Sequence, residues 1–376
     1  MRPEALGRTP ESQELGVNNR ELCEVCEALP HLAFDGGEVH VHLPQLHAVG
    51  KLKAALNEDD WDYRVEGKTV SIVMEGGRSD VLARKLRETF SSIERGATRA
   101  LYVPTGKTLG FNDYFGIDKL DTLLARMQAG SLITMVEAGQ LTAHFQPIVS
   151  AGDPGRIYAY EALLRGTAGR GLELPDDIFR VARDADLLAQ LDLAARRTAI
   201  QEYAKHDVAE RIFINFAPSA IYDPATCLRT TVQLLDDLGI SHDRVVFEVV
   251  ESEDIDDIDH LSRILDYYRS AGFRVALDDL GAGFSSLTRL AQLRPDYVKL
   301  DIELVRNVDV DRFKGEIAKK LIEAARTLEL SVIAEGVETK GEFDWVVANG
   351  ANFVQGFYVG KPATPPPKLA AVGQKN

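Results

Sequence analysis

Seven short apolar runs in the second half of the chain each close on a polar or charged residue, and this recurrence limits the possible folds more than any other feature. The runs are 156–160 before Glu161, 211–214 before Asn215, 244–247 before Glu248, 273–277 before the pair Asp278/Asp279, 296–298 before Lys299, 331–334 before Glu335, and 351–354 before Gln355. Each has the length and β-branched content of a buried strand. Successive polar ends lie about 20 to about 55 residues apart, the room that one strand, one covering helix and their loops occupy. A parallel (β/α) barrel satisfies both constraints, and in such a barrel the C-terminal strand ends carry the chemistry.

The chain has 376 residues. A barrel of roughly 250 leaves about 120 for a second module, so two domains are expected. A hydrophobic content of 45% and a charged content of 27% are those of an ordinary globular protein. The net charge of −15 argues against charge-driven binding to duplex nucleic acid or anionic membrane, both of which need a basic footprint. Neither a run near 18 apolar residues nor a secretory start occurs, and three cysteines are too few for a disulfide framework, so the cytoplasm is expected. Cys23 and Cys26, with His40 and His42 downstream, could offer four zinc ligands. The single residue between the histidines is short of the usual three to five, and a reduced cysteine pair is the plainer reading.

Residues 1–20 read as a polar leader and 21–110 as a small α/β domain, with strands expected at 38–43, 68–74 and 100–103 and helices at 47–56 and 79–93. Residues 111–129 read as a linker and connecting helix, and 130–370 as the barrel. Within the barrel, helices are expected at 176–206, 224–238, 259–271, 285–293, 311–328 and 341–348, several of them stopped by glycine or proline.

Glu161, Glu248, Asp278, Asp279 and Glu335, with the amide Asn215, would converge at one rim of such a barrel. Carboxylates gathered this closely raise one another's pKa unless cations intervene. All-oxygen donors favour hard ions such as Mg²⁺ or Mn²⁺ over zinc. Adjacent aspartates suit a bridge between two ions about 3.5–4 Å apart, the arrangement used for phosphodiester hydrolysis. Lys299 would then orient the attacking water or neutralise phosphate charge. A single acid at a strand end is more often a helix cap or a surface group; seven polar ends in register are not explained that way. The stretch 281–286 matches no phosphate-loop fingerprint and reads as a loop opening the next helix, capped by Ser285.

The segment Glu161-Ala162-Leu163-Leu164-Arg165 resembles the signature of the EAL domain family, the cyclic di-GMP phosphodiesterases of bacterial signalling. The likeness extends in order through His144-Phe145-Gln146-Pro147-Ile148-Val149, the stretch from Asp278 to Ser286, Lys299-Leu300-Asp301, Glu335-Gly336-Val337-Glu338, and Gln355-Gly356-Phe357 with Pro362. It implies a modified TIM (β/α)8 barrel with one antiparallel strand, acting on cyclic di-GMP to give linear pGpG. It implies metal ligands Glu161, Asn215, Glu248, Asp278 and Asp279, completed by Glu335, with Lys299 holding the nucleophilic water and Gln355 assisting. Gln146, Leu164 and Arg165 match substrate-contacting positions, and Glu251 matches the anchor of the loop after Asp279. The family resemblance also implies a homodimer through the barrel, with a regulatory ligand or protein expected at the N-terminal domain. Ala217, Val250, Leu280, Ala282 and Phe284 depart from the residues usual in the family, so a receptor that binds the nucleotide without cutting it is the rival reading.

Overall fold

The computed structural model describes residues 34–167, 174–249, 257–281 and 286–368. The N-terminal unit runs β1 (Gly37–His42), α1 (Leu46–Glu58), β2 (Tyr63–Glu66), β3 (Thr69–Met74), α2 (Ser79–Thr89), α3 (Ser92–Ala97), β4 (Arg99–Pro104) and β5 (Asp118–Lys119). Its strands lie in the order β2-β3-β1-β4-β5, every pairing antiparallel. Alternation decides which face is covered. Val39, Val41, Val70, Ile72 and Met74 pack with Leu52 and Leu56 of α1 and Leu82 and Leu86 of α2. Their neighbours His40 and His42 turn to the other face, where Nδ1 of each meets a hydroxyl, Ser71 at 2.8 Å and Thr69 at 3.0 Å. Cys23 and Cys26 lie outside the described residues.

The helix α4 (Leu120–Gln128) belongs to two cores. Leu120, Leu123, Leu124 and Met127 pack into the N-terminal one, while Ala125 joins Leu132, Leu164, Ile178 and Leu191 beside the barrel. Arg126 extends the junction, donating from Nε to the Ala185 carbonyl at 3.0 Å and from Nη2 to Asp186 at 3.0 Å.

After α5 (Gly130–Glu137) come β6 (Leu141–Ser150), β7 (Asp153–Gly166), α6 (Pro175–Asp184), α7 (Leu188–Lys205), β8 (Arg211–Phe216), α8 (Pro224–Cys227), α9 (Arg229–Asp237), β9 (Val245–Val249), α10 (Ile258–Ser270), β10 (Arg274–Leu280), α11 (Ser286–Leu293), β11 (Tyr297–Leu300), α12 (Ile302–Val305), α13 (Arg312–Thr327), β12 (Ser331–Ala334), α14 (Lys340–Ala348) and β13 (Phe353–Gln355). The last eight strands close in the order β10-β11-β12-β13-β6-β7-β8-β9. The expected barrel is therefore present, and its antiparallel member is β6, paired against both β7 and β13. Three helices expected as single spans are each divided: 79–93 breaks at Phe90–Ser91, both in extended conformation, where Ser91 caps α3. The span 176–206 breaks at 185–187, where Asp186 adopts φ 56, and 224–238 breaks at Leu228. No helix among the described residues is long and apolar enough to cross a membrane.

The barrel interior is stacked in layers. Ala159, Phe213, Val246, Ala276, Tyr297, Ile333 and Ile148 form one cluster, with Phe353 packed against it. Side chains two apart on a strand share a face, so the next layer toward the strand ends consists of Glu161, Asn215, Glu248, Asp278, Lys299, Glu335 and Gln355. On the reversed β6 the same step leads from Ile148 to Gln146.

One buried ion pair braces this layer from outside. Asp192 and Arg196 of α7 are each 1% exposed; Arg196 Nε donates to Asp192 at 2.8 Å and its Nη1 to the Thr231 hydroxyl. The second Asp192 oxygen accepts from the Ala217 backbone at 2.8 Å, two residues past Asn215. Asp192→Ala leaves Arg196 buried without its carboxylate and is expected to destabilise the protein by about 3–5 kcal/mol. Denaturant unfolding checks this; a loss under about 1 kcal/mol contradicts it.

Candidate functional site

Lys299 is the centre of the polar layer. Its side chain is buried, and Nζ lies 2.6 Å from Glu335, 3.1 Å from Glu248, 3.3 Å from Asp278 and 3.4 Å from Glu161. Glu161 is further held by Asn215, which donates to Oε1 at 2.8 Å, and by Gln355, which donates to Oε2 at 2.6 Å. Gln355 Nε2 is also 3.1 Å from Gln146 Oε1, and Gln146 reaches the Gly360 carbonyl at 3.4 Å. Asp279 adopts φ 57, and one oxygen from each of Asp278, Asp279 and Glu335 falls within 4.8 Å of the others. All six residues expected as ligands therefore lie in one contiguous group with Lys299, Gln355 and Gln146.

Local backbone geometry keeps the group in place. Gly336 follows Glu335 with φ +61, and Gly356 follows Gln355 with φ +154. A Cβ at Gly336 would collide with Ile302, and one at Gly356 with the Val337 backbone. The apparent motif residues after Glu335 and Gln355 are thus demanded by close chain approach, with the Val337 N–H bonded to the Gln355 carbonyl at 3.1 Å. Asp301, two residues after Lys299, caps α12 through the Glu303 N–H at 2.7 Å.

The electrostatics are those of too many like charges around one cation. Burial, then Asp278 and Glu161, push the Glu335 carboxyl well above its ordinary range, and burial does the same to Glu248 with Lys299 opposing. Burial also works against ionised Glu161, but the Lys299 ammonium and the bonds from Gln355 and Asn215 overcome it and hold this carboxyl low. For Lys299 burial disfavours the charge, yet the surrounding carboxylates raise its pKa well above 10.5. With these carboxylates free of cations, Lys299 is accordingly an ammonium and a hydrogen-bond donor. Glu248 is fully buried, and neither of its oxygens has a hydrogen-bond partner among the described residues; Lys299 is close enough for charge but poorly aligned for a bond. An orphaned carboxylate in a group of hard oxygen donors fits a divalent cation.

Of the expected substrate contacts, Gln146 belongs to the network just described. Leu164 is 8% exposed and lines a cavity of about 390 Å³ together with Asn215, Asp176 and Phe179. Arg165 donates to the Leu164 carbonyl at 2.7 Å, within the fields of Glu161 and Asp176. Glu251 and residues 282–285 lie outside the described residues. Asp176 and Phe179 are among the cavity residues that the sequence does not single out as a site. Pro175-Asp176 marked only a helix start, and what would have exposed them is that α6 opens toward the strand ends.

Residues 129–362 match the EAL domain family. Among relatives, the probable cyclic di-GMP phosphodiesterase PdeG of Escherichia coli K12 is 31% identical over 61% of this chain and 46% of its own length. The cyclic di-GMP phosphodiesterase PdeR of the same organism is 30% identical over 60% and 34%. The chain spans about a third to a half of the length of these relatives. A standalone EAL protein from Vibrio cholerae O395, solved in its c-di-GMP-bound form, is 35% identical with a TM-score of 0.56, covering 61% of this chain and 95% of that one. Klebsiella pneumoniae BlrP1, solved as a manganese/cyclic di-GMP complex, shares the fold over 87% of this chain and 96% of its own at 21% identity and a TM-score of 0.54. With the matched region covering more than half of its length, this chain belongs to the EAL domain family.

Proposed function

We propose that the protein is a divalent-metal-dependent phosphodiesterase that opens cyclic di-GMP to linear pGpG. The observation that carries this reading is the gathering of four carboxylates around Lys299, with Asn215 and Asp279 beside them, more negative charge than one ammonium balances. Glu161, Asn215, Glu248, Asp278, Asp279 and Glu335 would hold Mg²⁺ or Mn²⁺. The ions supply Lewis acidity, which makes water a better nucleophile at neutral pH and takes up charge on the phosphate.

The remaining tasks fall to the chain. Lys299, kept protonated by its neighbours, donates a hydrogen bond that fixes the nucleophilic water. Gln355 orients Glu161 and is itself fixed by Gln146. Gln146, Leu164 and Arg165 contact the nucleotide, with the cavity beside Leu164 and Asp176 receiving part of it. Glu251 anchors the loop after Asp279. A homodimer through the barrel is supported by the exposed apolar row Val310, Phe313 and Ile317 on and before α13. A Cβ at Gly281 would meet Leu304 of α12 and Leu321 of α13, so these two helices back the chain at Gly281, two residues past Asp279. The shared helix α4 supports regulation by a ligand or protein at the N-terminal unit, residues 21–110, acting on the barrel unit 130–370 through 111–129. We assign the protein to the cytoplasm.

Chromatography of cyclic di-GMP incubated with the full chain and Mg²⁺ or Mn²⁺ tests the function; linear product is expected, and intact nucleotide after long incubation indicates a receptor instead. Glu161→Ala should lower turnover by at least about 100-fold, since even outer partners of metal ligands are worth 10–100-fold; normal turnover with added metal refutes the assignment. Lys299→Ala should keep nucleotide binding and lose hydrolysis, and a parallel fall in both contradicts its role at the nucleophile.

A pH effect follows for metal-free protein. A carboxyl whose folded pKa is raised contributes stability that is fully present below the unfolded value of 4.5 and is lost as pH rises toward the folded value. Glu248→Gln removes that loss, so its melting temperature without metal should exceed the wild type's by a margin that widens from pH 5 to pH 8. The same variant should lose the rise in melting temperature that metal gives the wild type. A margin that narrows with pH overturns the electrostatic account.

A further inference from the structure

The opposite mouth of the barrel carries arginines where the catalytic rim carries acids. Arg156, Arg211 and Arg274 lie on β7, β8 and β10, and Arg244 immediately precedes β9. These four consecutive strands therefore begin at or near a guanidinium. Arg211 and Arg274 fall two residues before Phe213 and Ala276, on the inward face. They flank the Tyr158 and Tyr297 hydroxyls, which are 2.5 Å apart.

None of the four guanidiniums has a carboxylate within 4.0 Å among the described residues, in a chain whose net charge is −15. Nearby acids are otherwise engaged: Asp296 accepts from the Val275 N–H at 2.9 Å, and Asp243 from the Ser241 hydroxyl. Among the described residues Arg211 has no hydrogen-bond acceptor; the Tyr158 ring lies 5.1 Å away, Asp243 is near enough to feel its charge without bonding it, and its Nε is buried and unpartnered. Arg244 uses Nη2 on the Tyr203 hydroxyl and the Val208 carbonyl, while its Nε is likewise buried without a partner. A guanidinium has five donors, and desolvating them without acceptors is unfavourable.

Both residues open onto a recess of about 1210 Å³, to which Arg156, His206 and Lys368 add positive or ionisable groups. Asp153, Asp207 and Glu210 also line it and offset part of that positive charge, so an anion would be held by the guanidinium donors themselves. Neighbouring strands run about 4.8 Å apart, so forks from adjacent strands can grip one or two linked phosphates. We propose that this N-terminal mouth, remote from the metal-binding rim, binds a small diphosphate-bearing anion through Arg211 and Arg244. The recess has room for a nucleoside as well as for the phosphates.

The site stands whether or not the rim hydrolyses a phosphodiester. Calorimetric titration of the full chain with inorganic pyrophosphate, in EDTA so that no divalent ion bridges ligand and rim, should show saturable binding that weakens with salt. Arg211→Gln/Arg244→Gln should bind at least tenfold more weakly, and Lys299→Ala as tightly as wild type. If the double variant does not fold, Arg156→Gln, exposed at the recess edge, should show severalfold weaker binding. A nucleoside diphosphate run in parallel should also bind and compete with pyrophosphate. No binding to wild type, undiminished binding by the arginine variants, or loss of binding in Lys299→Ala each overturns the proposal.

Discussion

Five carboxylates and one ammonium share the interior of the barrel at the strand ends, and the rest of the site is organised by that imbalance. Lys299 meets four of the acids directly, and its charge keeps Glu161 ionised against the effect of burial. It does not suffice for Glu248 and Glu335, whose carboxyls are pushed upward. Such a centre persists only in a frame rigid enough to hold like charges together. The frame here is the layer of Ala159, Phe213, Val246, Ala276, Tyr297 and Ile333 directly beneath, with the buried Asp192–Arg196 pair bracing the chain just past Asn215.

The barrel was legible in the sequence because the pleat has a period of two. A strand that buries Phe213 must also point Asn215 inward, so the apolar run and its polar end are one signal. The eighth strand was harder to read. β6 runs antiparallel, so its site residue, Gln146, precedes the apolar residue Ile148 instead of following it, and a search for polar strand ends passes over it. Family resemblance supplied the antiparallel strand where spacing could not. The breaks at Asp186 and Leu228 were missed because amphipathic periodicity continues across them; only backbone conformation separates α6 from α7 and α8 from α9. In the N-terminal unit β2 escaped notice, since most of its four residues are exposed and carry no apolar pattern.

The two mouths of the barrel have opposite character. One gathers oxygen donors at the C-terminal strand ends; the other presents Arg156, Arg211, Arg244 and Arg274 around a tyrosine pair. Between them lies an apolar layer that keeps the charges apart, as low-dielectric packing must if neither set is to collapse onto the other. The arginines were visible in the sequence at the starts of the same runs whose ends suggested the site. That no carboxylate among the described residues lies within 4.0 Å of them could be seen only in three dimensions.

If the acid-rich mouth is built for hard divalent cations, anomalous diffraction from crystals grown with Mn²⁺ will show manganese peaks among Glu161, Asn215, Glu248, Asp278, Asp279 and Glu335, with the Lys299 ammonium drawn away from at least one carboxylate. A mouth without anomalous signal at saturating Mn²⁺, with Lys299 still within reach of all four acids, would contradict it.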